Sequence, residues 1–255
     1  MDRGQVIEPG FLRPFWRQLK VPAWALSLLV LTTLAGVRFY SVFGPPRVRF
    51  LFLAQALAMW SLPVVFLSRS GREAIGLRWP RGGAGALALC AVIGAAMGLT
   101  LFGISGSVHS SPGDNWVASV RAAMQLDQMR TMMGPTAILT MLALPVLIIT
   151  PVGEEILFRG LVHEALTMRW NWIVGMAVNS FAFGLVHLHV YGLTHDAAGF
   201  HLRVASGGMF VLGGAALSAV FTLCRMRTKS LIAAIAAHAG CNAAVMAAIV
   251  LAPAG

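Results

Sequence analysis

The 255-residue sequence is 58% hydrophobic and only 11% charged, and its mean hydropathy is +0.77. Soluble domains carry about 25% charged residues, so the composition excludes a soluble enzyme and a disordered chain. The three cysteines lie in apolar stretches without a CxxC motif, which argues against a disulfide framework. The net charge of +10 resides in short Lys/Arg clusters between apolar runs. That pattern is typical of cytoplasmic loops in membrane proteins and does not indicate nucleic-acid binding.

Seven uncharged or nearly uncharged segments are long enough to approach or cross a bilayer, which needs roughly 20 mostly apolar residues. In chain order they are residues 21–37, 50–68, 82–107, 135–153, 171–186, 207–224 and 231–255. An eighth follows if residues 154–168 form a separate membrane-embedded helix. The sequence therefore predicts an all-α polytopic integral membrane bundle of seven to eight transmembrane helices, forming a single membrane domain over residues 1–255.

The Lys/Arg clusters predict how these spans are oriented. Clusters precede the first, third, fifth and last spans, and placing them all in the cytoplasm gives a consistent alternation. We therefore expect a multi-pass protein of the inner or plasma membrane, with residues 1–20 in the cytoplasm. Arg47 and Arg49 then fall on the outer side, against the trend. The loop 108–133 is also outer, and we expect its amphipathic run Trp116, Val120, Met124 to lie along the membrane interface.

Ionisable residues inside a membrane are functional candidates by default. Of the nine acidic residues, Glu154 and Glu155 directly follow the apolar run 135–153, and Glu164 lies nine residues further on. Glu155 and Arg159 are four residues apart on a helix and can form an ion pair. Glu154 is rotated about 100° away and is expected to point into apolar surroundings, which suits a general base or acid. The alternative is that both glutamates pair with Arg159 and only hold helices together.

Two further apolar helices carry histidines and a carboxamide. His187 lies near the end of one helix, four residues after Phe183, and His238 lies four residues before Asn242 on another. A carboxylate, two imidazoles and a carboxamide can activate water and stabilise an oxyanion. Two histidines and a glutamate also match a zinc ligand set with one position open for water.

These residues form three motifs in order: EExxxR (Glu154, Glu155, Arg159), FxxxH (Phe183, His187) and HxxxN (His238, Asn242). Together they resemble the CAAX prenyl protease type II and bacteriocin-processing family, also called CPBP or Abi, of intramembrane metalloproteases. The resemblance covers roughly residues 146–250, which we take as the catalytic core.

The resemblance implies an intramembrane endopeptidase that cleaves a peptide bond at the cytoplasmic membrane face. By analogy, Glu154, His187 and His238 act on water and are the candidate ligands of a divalent metal, zinc. Asn242 would be the oxyanion donor, Glu155 would support catalysis with Arg159, and Phe183 would be structural. The implied partners are membrane lipid and a peptide or membrane-protein substrate, prenylated or otherwise. The sequence leaves the oligomeric state open.

Two other functions compete with this interpretation. A non-catalytic membrane scaffold or a bacteriocin-immunity protein could retain the same polar residues as a structural core. A rhomboid-like serine protease is suggested by Gly103-Ile-Ser105-Gly106, but a four-letter match in a glycine-rich chain is weak. Four histidines outside the motifs are expected to be solvated or interfacial: His163, His189, His195 and His201.

Overall fold

The computed structural model describes residues 10–108, 115–196 and 198–252. Its elements run in chain order as follows: α1 (Pro14–Gln18), α2 (Ala23–Phe43), a 3₁₀ turn (Pro46–Val48), α3 (Leu51–Val65), α4 (Arg69–Ala74), α5 (Gly83–Val108), α6 (Trp116–Ala123), α7 (Leu126–Met132), α8 (Pro135–Arg169), α9 (Trp172–Val186), α10 (Leu188–Tyr191), β1 (Leu193–Asp196), β2 (Gly199–Leu202), α11 (Val204–Thr228) and α12 (Leu231–Leu251).

Six helical segments of the described chain are long and apolar enough to cross a membrane, and the predicted all-α polytopic membrane bundle is confirmed. The predicted fifth span, α9, is apolar but has only 15 residues. The predicted fourth span and the optional eighth helix are one element, because α8 continues through both glutamates for 35 residues. Large apolar side chains cover the outside of the bundle, for example Leu29, Val92 and Leu212, which are 60%, 64% and 70% exposed.

Two π-helical segments interrupt α8. The first, Leu144–Ile149, contains Pro145 and is followed by Pro151, and the second, Ile156–Val162, begins immediately after Glu155. Proline lacks a backbone N–H and its ring clashes with the preceding turn of an α-helix. Wider π turns are one way to accommodate it, and they often occur at functional sites. The glutamate pair therefore lies on a short α-helical stretch, Thr150–Glu155, between two π segments.

Helices α5 and α12 pack backbone against backbone. A side chain at Gly94 would collide with the carbonyl of Ala237, and one at Gly240 would collide with the carbonyl of Ala91. Gly98, four residues after Gly94, similarly faces Cys241 of α12. Small residues spaced by four let membrane helices approach closely and gain van der Waals contact. This contact holds α12, with His238 and Asn242, firmly in the bundle.

Helix α6 confirms the helix predicted near Trp116, but its position differs from the expectation. Trp116 and Val120 are 2% and 4% exposed and pack against core residues such as Phe210 instead of facing lipid. The amphipathic face of α6 therefore closes the end of the bundle. The sequence Pro112-Gly113-Asp114 just before it, which favours a helix start, lies outside the described residues.

We predict that Gly94→Ala lowers the melting temperature of the detergent-solubilised protein. The added methyl group has no room against the α12 backbone, and overpacking of this kind costs typically about 1–3 kcal/mol. Gly85→Ala is the matched control, because Gly85 lies on the same helix with nothing within 4 Å of its added Cβ. Equal melting temperatures for the two variants would contradict the close packing of α5 and α12.

Candidate active site

A cavity of about 860 Å³ opens between α2, α6, α8 and α12. Four of the predicted catalytic residues line it: Glu154, His187, His238 and Asn242. The fifth, Glu155, is fully buried behind the cavity wall. The structure therefore brings together side chains from α8, from α12 and from the junction between α9 and α10, which lie up to 88 positions apart in sequence.

The cavity opens at the end of the bundle where α2 and α12 finish. It is lined there by Phe43 and Ile249, near the carboxyl ends of the two helices. The amino-terminal segment lies at the other end, where Leu12 pairs with Leu67. Two predictions, a cytoplasmic amino terminus and cleavage at the cytoplasmic face, thus cannot both hold in this fold.

Glu154 is not alone in apolar surroundings, and that expectation is wrong. Arg38 of α2 places Nη1 2.7 Å from Glu154 Oε1, and the two side chains are 6% and 1% exposed. The Arg38 guanidinium also lies over the Phe52 ring, 4.8 Å from its centre. A buried carboxylate needs a nearby cation to remain charged. No sequence pattern indicated this partner, since the two residues are 116 positions apart.

Glu155 and Arg159 form a second ion pair. Their Oε1 and Nη1 atoms are 2.8 Å apart, and neither side chain has any exposed surface. The Arg159 guanidinium also lies 4.5 Å from the centre of the Phe183 ring. Glu155 Oε1 accepts a second hydrogen bond, 2.8 Å long, from Nδ1 of His238. The second carboxylate of the EExxxR motif thus fixes one of the imidazoles.

Both imidazoles turn their Nε2 atoms towards Glu154. His187 Nδ1 donates to the carbonyl of Phe183 over 2.7 Å, and His238 Nδ1 donates to Glu155. Since these acceptors carry no hydrogen, we assign the ring hydrogen of each neutral histidine to Nδ1. The Nε2 atoms of His187 and His238 are each 3.9 Å from Glu154 Oε2. That carboxylate oxygen is buried without a hydrogen-bond partner among the described residues.

Asn242 is positioned by a local irregularity of α8. Its Nδ2 donates to the carbonyl of Val146 over 3.0 Å. In the π segment the Thr150 N–H bonds to the Pro145 carbonyl, and in this register Val146 would pair with Pro151, which has no N–H. The Val146 carbonyl is therefore left for a side chain to satisfy. This bond uses one of the two Nδ2 hydrogens of Asn242.

The predicted zinc ligands do not fit a metal ion as they are placed. Among the described residues, no group of three or more His, Cys, Asp and Glu side chains could hold one. Glu154, His187 and His238 have suitable donor atoms, but the 3.9 Å spacings exceed the roughly 3.3 Å between ligands of a tetrahedral zinc ion. Arg38 also engages the other oxygen of Glu154. Zinc stays a prediction.

Two of the extra histidines are not solvated, contrary to expectation. His163 is 2% exposed and accepts a hydrogen bond from Arg225, and His189 is 7% exposed and lines the cavity. His195 and His201 are exposed. For the serine-protease alternative, the backbone at Ser105 lies within α5 and its side chain lies outside the described residues.

The fold and these side chains define a polytopic helical membrane protein with a polar site inside the bundle. Residues 136–244 match the sequence model of the Rce1-like family, described as type II CAAX prenyl endopeptidase Rce1-like. The match covers 109 of the 255 residues and confirms the resemblance based on the three motifs. Comparisons with curated proteins and with solved structures gave no match.

We predict that Arg159→Met sharply reduces the yield and melting temperature of the solubilised protein. Removing one partner leaves Glu155 as an unpaired buried charge, and breaking a buried pair costs about 3–5 kcal/mol. The double variant Glu155→Gln/Arg159→Met should recover part of the loss, because no unpaired charge remains. A single variant as stable as the unmodified protein would show that the pair does not hold the core.

The Arg38–Glu154 pair is tested by a double-mutant cycle on melting temperature. Arg38→Gln should destabilise the protein because Glu154 loses its cation, and adding Glu154→Gln should restore stability. Arg47→Gln, an exposed arginine near the same end of α2, is the control and should change little. Additive effects of the Arg38 and Glu154 substitutions would mean that the two side chains do not interact.

Proposed function

We propose that the protein is an intramembrane endopeptidase that uses Glu154 as its general base. The observation that carries this proposal is the convergence of Glu154 Oε2 with the Nε2 atoms of His187 and His238 at the wall of a large cavity. The match of residues 136–244 to a family described as CAAX prenyl endopeptidases supports peptide-bond hydrolysis over scaffolding.

Water activation follows from the acceptors that face one another. Atoms 3.9 Å apart are too distant for a direct hydrogen bond but close enough for one water molecule to bridge. A water that donates to Glu154 Oε2 and to His187 Nε2 is held with its oxygen free to attack. As the oxygen attacks a peptide carbonyl carbon, Glu154 takes the proton. Arg38 keeps Glu154 ionised and ready for this step.

The tetrahedral intermediate needs a donor for its oxyanion and a proton for its leaving group. The second Nδ2 hydrogen of Asn242 is our candidate donor to the oxyanion. Glu154 then returns its proton to the amide nitrogen as the C–N bond breaks, which gives a new carboxyl group and a new amine. Glu155 acts indirectly, because its hydrogen bond to Nδ1 sets the orientation and tautomer of His238.

The substrate would be a peptide or membrane protein that reaches the cavity along the membrane. The mixed lining, with apolar Val245, Met246 and Ile249 beside the polar residues, suits an extended peptide segment with apolar side chains.

We predict that Glu154→Gln removes the proteolytic activity of the protein, while the protein remains folded in the membrane. General acid–base catalysis contributes roughly 100- to 10,000-fold to a rate, so turnover should fall at least about 100-fold. The measurement compares peptide termini in membranes containing equal amounts of the unmodified protein or the variant. Glu73→Gln is the matched control, since it makes the same change at a 69% exposed side chain.

Termini present with the unmodified protein and with Glu73→Gln, but missing with Glu154→Gln, would establish proteolysis and identify the substrate. Identical termini in all three samples would contradict the proposal. They would favour the scaffold or bacteriocin-immunity alternative, in which Glu154 only pairs with Arg38.

A further inference from the structure

The two ends of the bundle differ in charge. We name the cavity end by its residues 38–50, 115–134 and 193–203, and the basic end by residues 10–22, 66–82, 169–171 and 225–231. Since α2 has 21 residues, the two ends lie about 30 Å apart, which is the thickness of a bilayer core.

Contacts between distant segments define the basic end. The Arg13 N–H donates to the Phe66 carbonyl over 2.9 Å, and the Arg81 N–H donates to the Thr228 carbonyl over 2.9 Å. Trp24, at the start of α2, contacts the ring of Trp170 at the end of α8. Consecutive helices of the bundle are therefore connected alternately at the basic end and at the cavity end. This alternation is expected when each helix crosses the membrane once.

The mouth of the cavity lies wholly at the other end. Its exposed lining residues include Val42 in the last turn of α2, Arg49 after that helix, Gln125 after α6 and His195 in β1. Among the described residues, none that lines the cavity belongs to the basic end.

The described part of the basic end has eleven Lys and Arg residues: three in 10–22, four in 66–82, one in 169–171 and three in 225–231. The described part of the cavity end has six: three in 38–50, two in 115–134 and one in 193–203. Arg225 and Arg38 are buried in ion pairs with Glu164 and Glu154. Without these two arginines, the basic end has ten Lys and Arg residues and the cavity end has five.

An excess of Lys and Arg in short loops marks the cytoplasmic side of a membrane protein. We infer that the basic end is cytoplasmic and that the cavity opens on the non-cytoplasmic side of the membrane. This inference agrees with the predicted cytoplasmic amino terminus. It places cleavage at the non-cytoplasmic face instead of the predicted cytoplasmic face.

This orientation selects a class of substrate, on the basis of the proposed proteolytic function. A segment that enters the cavity must already have crossed the membrane. The substrates would then be membrane-anchored or secreted polypeptides whose scissile bond is exposed on the non-cytoplasmic side. Prenylated carboxyl termini held at the cytoplasmic surface would not reach Glu154.

Orientation is tested first, without any assay of activity. Two single-cysteine variants, Gln128→Cys in α7 and Leu77→Cys in the basic end, are made in a chain whose Cys90, Cys224 and Cys241 are replaced by alanine. Both positions are exposed and uncharged, so neither substitution alters the charge pattern. Right-side-out membrane vesicles are treated with a membrane-impermeant maleimide, and the cysteine-free chain gives the background.

We expect Gln128→Cys to be labelled at least tenfold more than Leu77→Cys in intact vesicles, and both to be labelled after permeabilisation. Labelling of Leu77→Cys that equals or exceeds that of Gln128→Cys in intact vesicles would overturn the inference.

The substrate class is tested by mapping the Glu154-dependent termini onto the topology of the cleaved proteins. Termini in non-cytoplasmic segments support the inference, and termini in cytoplasmic segments overturn it. A complete lack of Glu154-dependent termini would instead refute the proposed proteolysis, while the labelling result would still decide the orientation of the cavity.

Discussion

Two carboxylates buried in a membrane protein impose the constraint on which the rest of the site depends. Each needs a cation in contact, because an isolated charge in an apolar interior is strongly disfavoured. Arg159 forms an ion pair with Glu155 on the same helix, and Arg38 of the first span forms an ion pair with Glu154. The amino-terminal half of the chain, which carries none of the three motifs, therefore supplies a residue that touches the catalytic candidate. The core 146–250 is incomplete without it.

Hydropathy and helical spacing predicted most of the fold and the candidate site. The apolar runs located the membrane helices, and the spacing of four placed Glu155 with Arg159 and His238 with Asn242 on common helix faces. These are local relations, and the backbone geometry of a helix fixes them. Contacts between helices have no such sequence period. The Arg38–Glu154 pair and the burial of His163 against Arg225 emerged only once the helices were packed.

The π turns in α8 were the other feature that the sequence pattern did not predict. The sequence contains Pro145 and Pro151, but no helix irregularity was predicted from them, and the helix continues through both by π turns. In the shifted register the Val146 carbonyl has no backbone N–H partner. It accepts a hydrogen bond from Asn242, a residue 96 positions later. The carboxamide of the HxxxN motif thus has a structural task beside its proposed chemical one, and a loss of activity on its replacement would reflect both.

The tautomers of the two histidines have a consequence for the choice of inhibitors. With each Nδ1 hydrogen already donated, the cavity presents Glu154 and two Nε2 atoms as hydrogen-bond acceptors only. A ligand that brings further acceptors, such as a simple carboxylate, would face repulsion from this cluster. Compounds that offer several N–H or O–H groups on a small rigid head, such as amidines or hydroxamic acids, match it in hydrogen-bond polarity. An apolar tail could extend along Val245 and Met246 towards the mouth.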